Sequence, residues 1–178
     1  MHMKTLPFII ALTFAGTLYA QPDPERHFEL GLSGLYQSFS GASNFRVING
    51  FLISPRLGYE VAKGFEIEPE ATLVTVKGSN PAYILNGNVS YNFISTAKAV
   101  PFLLLGYGTA NEIPFLQIPS VRSGSWMGVL NIGGGVKGYL TKDVAMRVEY
   151  RYQTFSGQAQ EDVSHEINTV QFGFSVLL

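Results

Sequence analysis

Between Phe28 and Leu178 the chain repeatedly alternates apolar and polar side chains. A period of two belongs to a β-strand, whose successive side chains point to opposite faces, and a helix does not satisfy it. The first run sets Phe28, Leu30, Leu32 and Tyr36 against Glu29, Ser33 and Gln37. A second sets Phe51, Ile53, Leu57, Tyr59 and Val61 against Ser54, Arg56, Gly58 and Glu60. A third sets Phe65, Ile67, Ala71 and Leu73 against Glu66, Glu68, Glu70 and Thr72. A fourth sets Tyr83, Leu85, Val89, Tyr91 and Phe93 against Asn86, Asn88, Ser90 and Asn92. Val100–Gly108 is apolar on both faces, so the pattern leaves the register of this fifth strand open. In the sixth, Gly128–Leu140, Ile132, Val136 and Leu140 oppose Asn131 and Lys137. The seventh sets Val144, Met146, Val148, Tyr150 and Tyr152 against Arg147, Glu149, Arg151 and Gln153. The eighth sets Val170, Phe172, Phe174, Val176 and Leu178 against Gln171, Gly173 and Ser175. Pro55 and Pro69 fall inside strands two and three, where each removes a ladder donor, and bulges or water are expected there.

The connections alternate in length. Ala62–Gly64 and Thr141–Asp143 are tight, with Gly64 suited to the left-handed last position of a three-residue hairpin, and 94–99 is slightly longer. The remaining connections, near 38–49, 77–82, 109–125 and 154–166, are polar and mostly longer. Counted along the chain, short turns fall at one end of the sheet and long ones at the other. The reading is all-β: an eight-stranded antiparallel up-and-down transmembrane β-barrel over residues 27–178, with short periplasmic turns and longer outer loops.

Residues 1–20 have the three parts of a cleavable export signal: Lys4, an apolar stretch from Leu6 to about Phe14, and small residues ending at Ala20. Residues 21–26 form a polar lead-in with two prolines. No later apolar run approaches the ~18 residues of a spanning helix. The 178-residue chain has no cysteine, which excludes a disulfide framework and a thiolate metal site. A formal charge of -1 gives no basis for nucleic-acid binding. Charged residues make up 14% of the chain, few for a soluble domain that must resist association.

Alternation does not say which face points outward, but volume does. An eight-stranded barrel has an interior only just wide enough for side chains. The apolar face carries large Phe, Tyr, Leu, Ile and Met, whereas the polar face is rich in Gly, Ser, Asn and Thr. The apolar face therefore goes outward, to lipid. Tyr36, Phe51, Tyr83, Trp126 and Tyr152 lie near the long-loop end, and Phe28, Tyr59, Phe65, Tyr91 and Phe93 near the short-turn end. Two such girdles suit the membrane interfaces.

The inward face then carries charge. Across the hairpin closed by Ala62–Gly64, Arg56 is opposite Glu70 and Glu60 is opposite Glu66. Buried charges persist only when paired. A lumen network of Arg56, Glu66, Glu68, Glu70, Arg147, Glu149 and Arg151 follows, with Lys137 a further available cation. It either plugs or gates the lumen, or only fills and neutralises it.

The segment VLNIGGGVKGYLTKDVAMRVEYRYQ, residues 129–153, resembles the strand–turn–strand unit of small OmpA/OmpX-type and opacity-type outer-membrane barrels. The tail QFGFSVLL is similar to the C-terminal assembly signal of that family, through Gln171, Gly173, Val176 and Leu178. The resemblance implies an outer-membrane location among outer-membrane lipids and lipopolysaccharide, with insertion by the barrel-assembly machinery and periplasmic chaperones. It does not imply one activity, since related barrels serve as scaffolds, adhesins, channels or enzymes.

The residues suggest no cofactor. His27 and His165 are isolated from ligand spacing, and Gly133–Gly135 lacks a strand–loop–helix setting. Ser164–His165–Glu166 lies near the outer end of strand eight, but alternation would separate His165 from both neighbours. The expectation is a non-enzymatic barrel with a structural or surface-interaction role, its outer loops carrying any recognition of an extracellular ligand. The alternatives are a narrow channel, an outer-leaflet lipid-modifying enzyme and a soluble periplasmic ligand-binding barrel.

Overall fold

The structure, a computed structural model, describes residues 27–39, 48–76, 80–93, 98–112, 126–156 and 165–178. The export signal expected at 1–20, the lead-in 21–26, Ser164 and most of the longer connections lie outside these residues. The described residues form β1 (Phe28–Phe39), β2 (Ile48–Ala62), β3 (Phe65–Val76), β4 (Ala82–Asn92), β5 (Ala99–Ala110), β6 (Met127–Tyr139), β7 (Val144–Ser156) and β8 (His165–Leu177). Each pairs antiparallel with its chain neighbours, and β8 returns to β1, closing an all-β, eight-stranded barrel.

The orientation of the side chains follows from their size. Phe172 and Phe174 are 51% and 57% exposed on the outer wall, while Glu68 and Arg147 are 0% and 1% exposed inside. Along β3, Glu66, Glu68, Glu70 and Thr72 are buried and Phe65, Ile67, Pro69 and Ala71 are exposed. The barrel is inside out relative to a soluble one: its large apolar side chains face its surroundings and its charges face its axis.

The strands are steeply inclined. Paired residues run from Phe28 through Tyr59, Ile67, Val89, Leu105, Ile132 and Tyr152 to Asn168, which the β8–β1 register sets level with Ser38. One circuit thus climbs by about ten residues, a stagger that for eight strands requires a tilt near 40°. Phe28 and Tyr36, eight residues apart on β1, mark the two aromatic girdles. At ~3.3 Å per residue and that tilt, the girdles are about 20 Å apart in height, close to the ~25 Å apolar band of a membrane barrel. Phe28 packs on Tyr59 and Phe65 on Tyr91, each with ring centroids 4.8 Å apart, at the short-turn end. Tyr36, Phe51, Tyr83, Tyr107 and Trp126 are exposed toward the other end.

Two local expectations are corrected. Pro55 and Pro69 cause no bulge. The β2–β3 register omits the rungs beside them but is the same at Ile53↔Leu73, Arg56↔Glu70 and Tyr59↔Ile67. Both prolines turn outward, and their other ladders, Leu32↔Pro55 and Pro69↔Gly87, are intact, so the missing donors fall on one shared seam. The register shift comes instead between Glu60 and Ala62, and it shortens the β2–β3 hairpin to a Lys63–Gly64 turn between paired Ala62 and Phe65. Gly64 has φ 82°, the left-handed conformation expected of it. Its carbonyl accepts from Asn92 N at 2.7 Å and its N–H donates to Glu60 Oε1 at 3.0 Å. In the 140–143 turn, Thr141 Oγ1 accepts from Asp143 N at 3.2 Å and Val144 N at 3.0 Å.

Candidate functional site: a sealed lumen

The lumen is layered. At the long-loop end the inward residues are apolar. Leu52, Val74, Val76 and Ala82 form one cluster with Leu35, and Ile84, Ala110, Met127, Val129 and Phe155 form another with Ile167. Below them lie uncharged polar groups: Ser54 and Thr72 share a hydrogen bond of 2.8 Å, and Gln153 Nε2 donates to Asn131 Oδ1 at 2.6 Å. The charged groups occupy the middle, and Val100, Tyr139, Ala145 and Leu177 pack together at the short-turn end. The polar face of the sequence is thus polar only at mid-height. β5, whose register the pattern left open, turns Val100, Phe102 and Leu104 inward and Leu103, Leu105 and Tyr107 outward.

Five carboxylates (Glu29, Glu66, Glu68, Glu70, Glu149) and four cations (Arg56, Lys137, Arg147, Arg151) are buried, none more than 6% exposed. Acids dominate the β3 wall and cations the facing β6–β7 wall, so Arg147–Glu68 and Arg151–Glu70 cross the axis, while Arg147 and Arg151 also flank Glu149 on their own strand. Lys137 Nζ reaches Glu66 Oε2 at 2.7 Å and Glu29 Oε2 at 2.8 Å. Arg147 Nη1 meets Glu68 Oε2 at 2.9 Å and Arg147 Nη2 meets Glu149 Oε2 at 2.8 Å. Arg151 holds Glu70 in a two-pronged contact, its Nη2 donating to Oε2 at 2.9 Å, and also reaches Glu149 Oε1 at 2.5 Å. Arg56 Nη1 lies 3.2 Å from Glu149 Oε2 and 3.7 Å from Glu68 Oε2. Ser90 Oγ donates to Glu68 Oε1 at 2.5 Å and Asn92 Nδ2 to Glu66 Oε2 at 3.0 Å. The Arg147 guanidinium also stacks 4.0 Å over the Phe102 ring.

Glycines make room for these groups. A Cβ at Gly58 would lie 1.7 Å from Glu66 Oε1, and one at Gly31 would lie 2.8–3.0 Å from the Arg56 side chain. Among the described residues, the ion pairs and the apolar clusters at the two ends close the lumen.

The seven network residues named from sequence all face the axis, but their partners differ from the hairpin geometry. Arg56 and Glu70 are opposite in register, yet Glu70 pairs with Arg151, and Arg56 turns to Glu149 and Glu68. A long guanidinium reaches across the lumen as easily as across a ladder, so register alone does not choose its partner. Glu60 and Glu66 are also opposite, and Lys137 supplies the cation that Glu66 needs. Glu29 was not among the seven, although alternation places it on the polar face beside the others. Of the C-terminal quartet, Gln171 and Gly173 face inward and Val176 and Leu178 outward. Leu178 N donates to Phe28 O at 2.8 Å, tying the last residue to β1. No group of His, Asp or Glu suited to a metal ion occurs among the described residues.

Closed topology, outward apolar belt and packed charged axis together define a small eight-stranded barrel of the outer-membrane type of fold. Two solved structures share it. Neisserial surface protein A (NspA) matches with a TM-score of 0.63 and 16% identity, over 85% of this chain and 97% of that one. The N-terminal β-barrel domain of Pseudomonas aeruginosa OprF matches with a TM-score of 0.56 and 17% identity, over 86% and 98%. No family model and no curated protein matches the sequence.

Proposed function

We propose that the chain is an outer-membrane barrel with a structural or surface-interaction role, closed to solute flow, whose outer loops carry any recognition. One observation carries this reading: the outer wall is apolar between two aromatic girdles while the axis is packed with paired charges. An apolar wall of that height is stable against hydrocarbon and unstable against water. The likeness of fold to a Neisserial surface protein accords with a place at the cell surface. In this reading residues 1–20 direct export, and outer-membrane lipids and lipopolysaccharide surround the wall. The barrel-assembly machinery, supplied by periplasmic chaperones, reads Gln171, Gly173, Val176 and Leu178. In this reading the chain is not an enzyme, and its buried charged side chains serve to pair with one another across the lumen.

The test is made on full-length protein extracted from outer membranes in detergent. Gel mobility that shifts on boiling, together with silence in planar lipid bilayers, is expected. Steady channel steps from the unmodified protein would overturn the closed lumen in favour of a narrow pore. Recovery in the soluble fraction without detergent would overturn the membrane assignment.

A further inference from the structure

The β1–β8 seam is half as long as its neighbours. It has six paired positions, Glu29↔Leu177 to Gly34↔Phe172, whereas β1–β2 and β7–β8 have twelve each. Its inward face is thin, made of Gly31, Ser33, Gly173 and Ser175 between Glu29 and Gln171. Two ion pairs span this thin wall by the shorter way round the barrel. Arg56 of β2 passes over Gly31, donates to Ser33 Oγ and reaches Glu149 of β7 at 3.2 Å. Lys137 of β6 reaches Glu29 of β1 at 2.8 Å. Glu66–Lys137 is different, because its shorter way round runs through β4 and β5, on the far side of the barrel.

We infer that Glu29–Lys137 and Arg56–Glu149 form a clasp that holds the short β1–β8 seam closed, so that the seam is where this barrel yields first when the clasp is weakened. Uncurling at the seam lengthens both paths from three strand steps to five, so neither pair survives it. Gly31 and Ser33 serve the clasp by letting Arg56 lie flat against the wall, and Gly173 leaves room for Ser33. A Cβ at Gly31 would meet the middle of that side chain, its Cγ, Cδ and Nε, rather than its mobile end.

Amide hydrogen exchange of the full chain in phospholipid nanodiscs tests this. Glu29→Gln combined with Arg56→Gln is expected to speed exchange at residues 29–34 and 172–177 at least tenfold more than in the β3–β4 and β6–β7 ladders. Glu66→Gln, which loosens a pair on the far side, is expected to show no preference for the seam. The chain has no cysteine, so Leu32→Cys with Phe174→Cys, an outward-facing registered pair, places a single cross-link on the seam. Oxidising that pair in the Glu29→Gln, Arg56→Gln background is expected to restore protection. Exchange that rises equally in all ladders, does not rise, or ignores the cross-link would overturn the inference.

Discussion

Replacing Arg147 by leucine removes the cation that lies between Glu68 and Glu149. In the native barrel its two terminal nitrogens hold those carboxylates at 2.9 and 2.8 Å, in a site 1% exposed or less. In the variant, Glu149 keeps Arg151 at 2.5 Å and Arg56 at 3.2 Å, but Glu68 keeps only Arg56 at 3.7 Å and the Ser90 hydroxyl. The described lumen changes from five acids and four cations to five and three. Taking one partner from a buried pair costs about 3–5 kcal/mol, because the other stays desolvated without its counter-charge. With Glu149 still doubly held, the loss is concentrated on Glu68, and about 3 kcal/mol is expected, a fall of roughly two decades in the folding equilibrium. Adding Glu68→Leu removes the stranded charge, so the double variant is expected to recover most of the loss. The measurement is reversible urea unfolding from lipid vesicles, followed by Trp126 fluorescence and by unboiled gel mobility. A single variant within about 1 kcal/mol of the parent, or a double variant as unstable as the two single losses added, would refute the reasoning.

Gly135→Ala is expected to destabilise the barrel by about 1–3 kcal/mol, because its Cβ would lie 2.0 Å from the Val148 carbonyl oxygen. Gly87→Ala, whose nearest neighbour is 4.0 Å away, serves as the tolerated control in the same unfolding assay. On the outer wall, Leu105→Arg lies midway between the girdles and is expected to cost about 2–4 kcal/mol in vesicles. Tyr36→Arg, at the girdle, is expected to cost about 0–1 kcal/mol, and equal losses at the two sites would contradict the assigned membrane height.

Much of this architecture is local and was therefore readable along the chain. Alternation fixed which side of β1–β4, β7 and β8 each residue occupies, since neighbouring side chains in a strand cannot share a face. Side-chain volume then fixed which face is outer, because Phe172, Phe174 and Tyr150 do not fit a lumen that must also hold arginines. Gly64 announced its left-handed turn for the same local reason. Where both faces of a strand were apolar, as in β5, the pattern was silent, and only closure against β4 and β6 turned Phe102 and Leu104 inward.

What the chain alone could not decide was who meets whom across the axis. Register placed Arg56 opposite Glu70, but the stagger of the closed barrel carried Arg56 to Glu149 and gave Glu70 to Arg151 of β7. Glu29 and Lys137, 108 positions apart, became partners only when β1 and β6 were brought to face one another. Alternation is a property of consecutive bonds and survives in any extended segment. The pairing of long charged side chains depends on barrel radius, strand tilt and depth, which exist only once β8 has closed on β1.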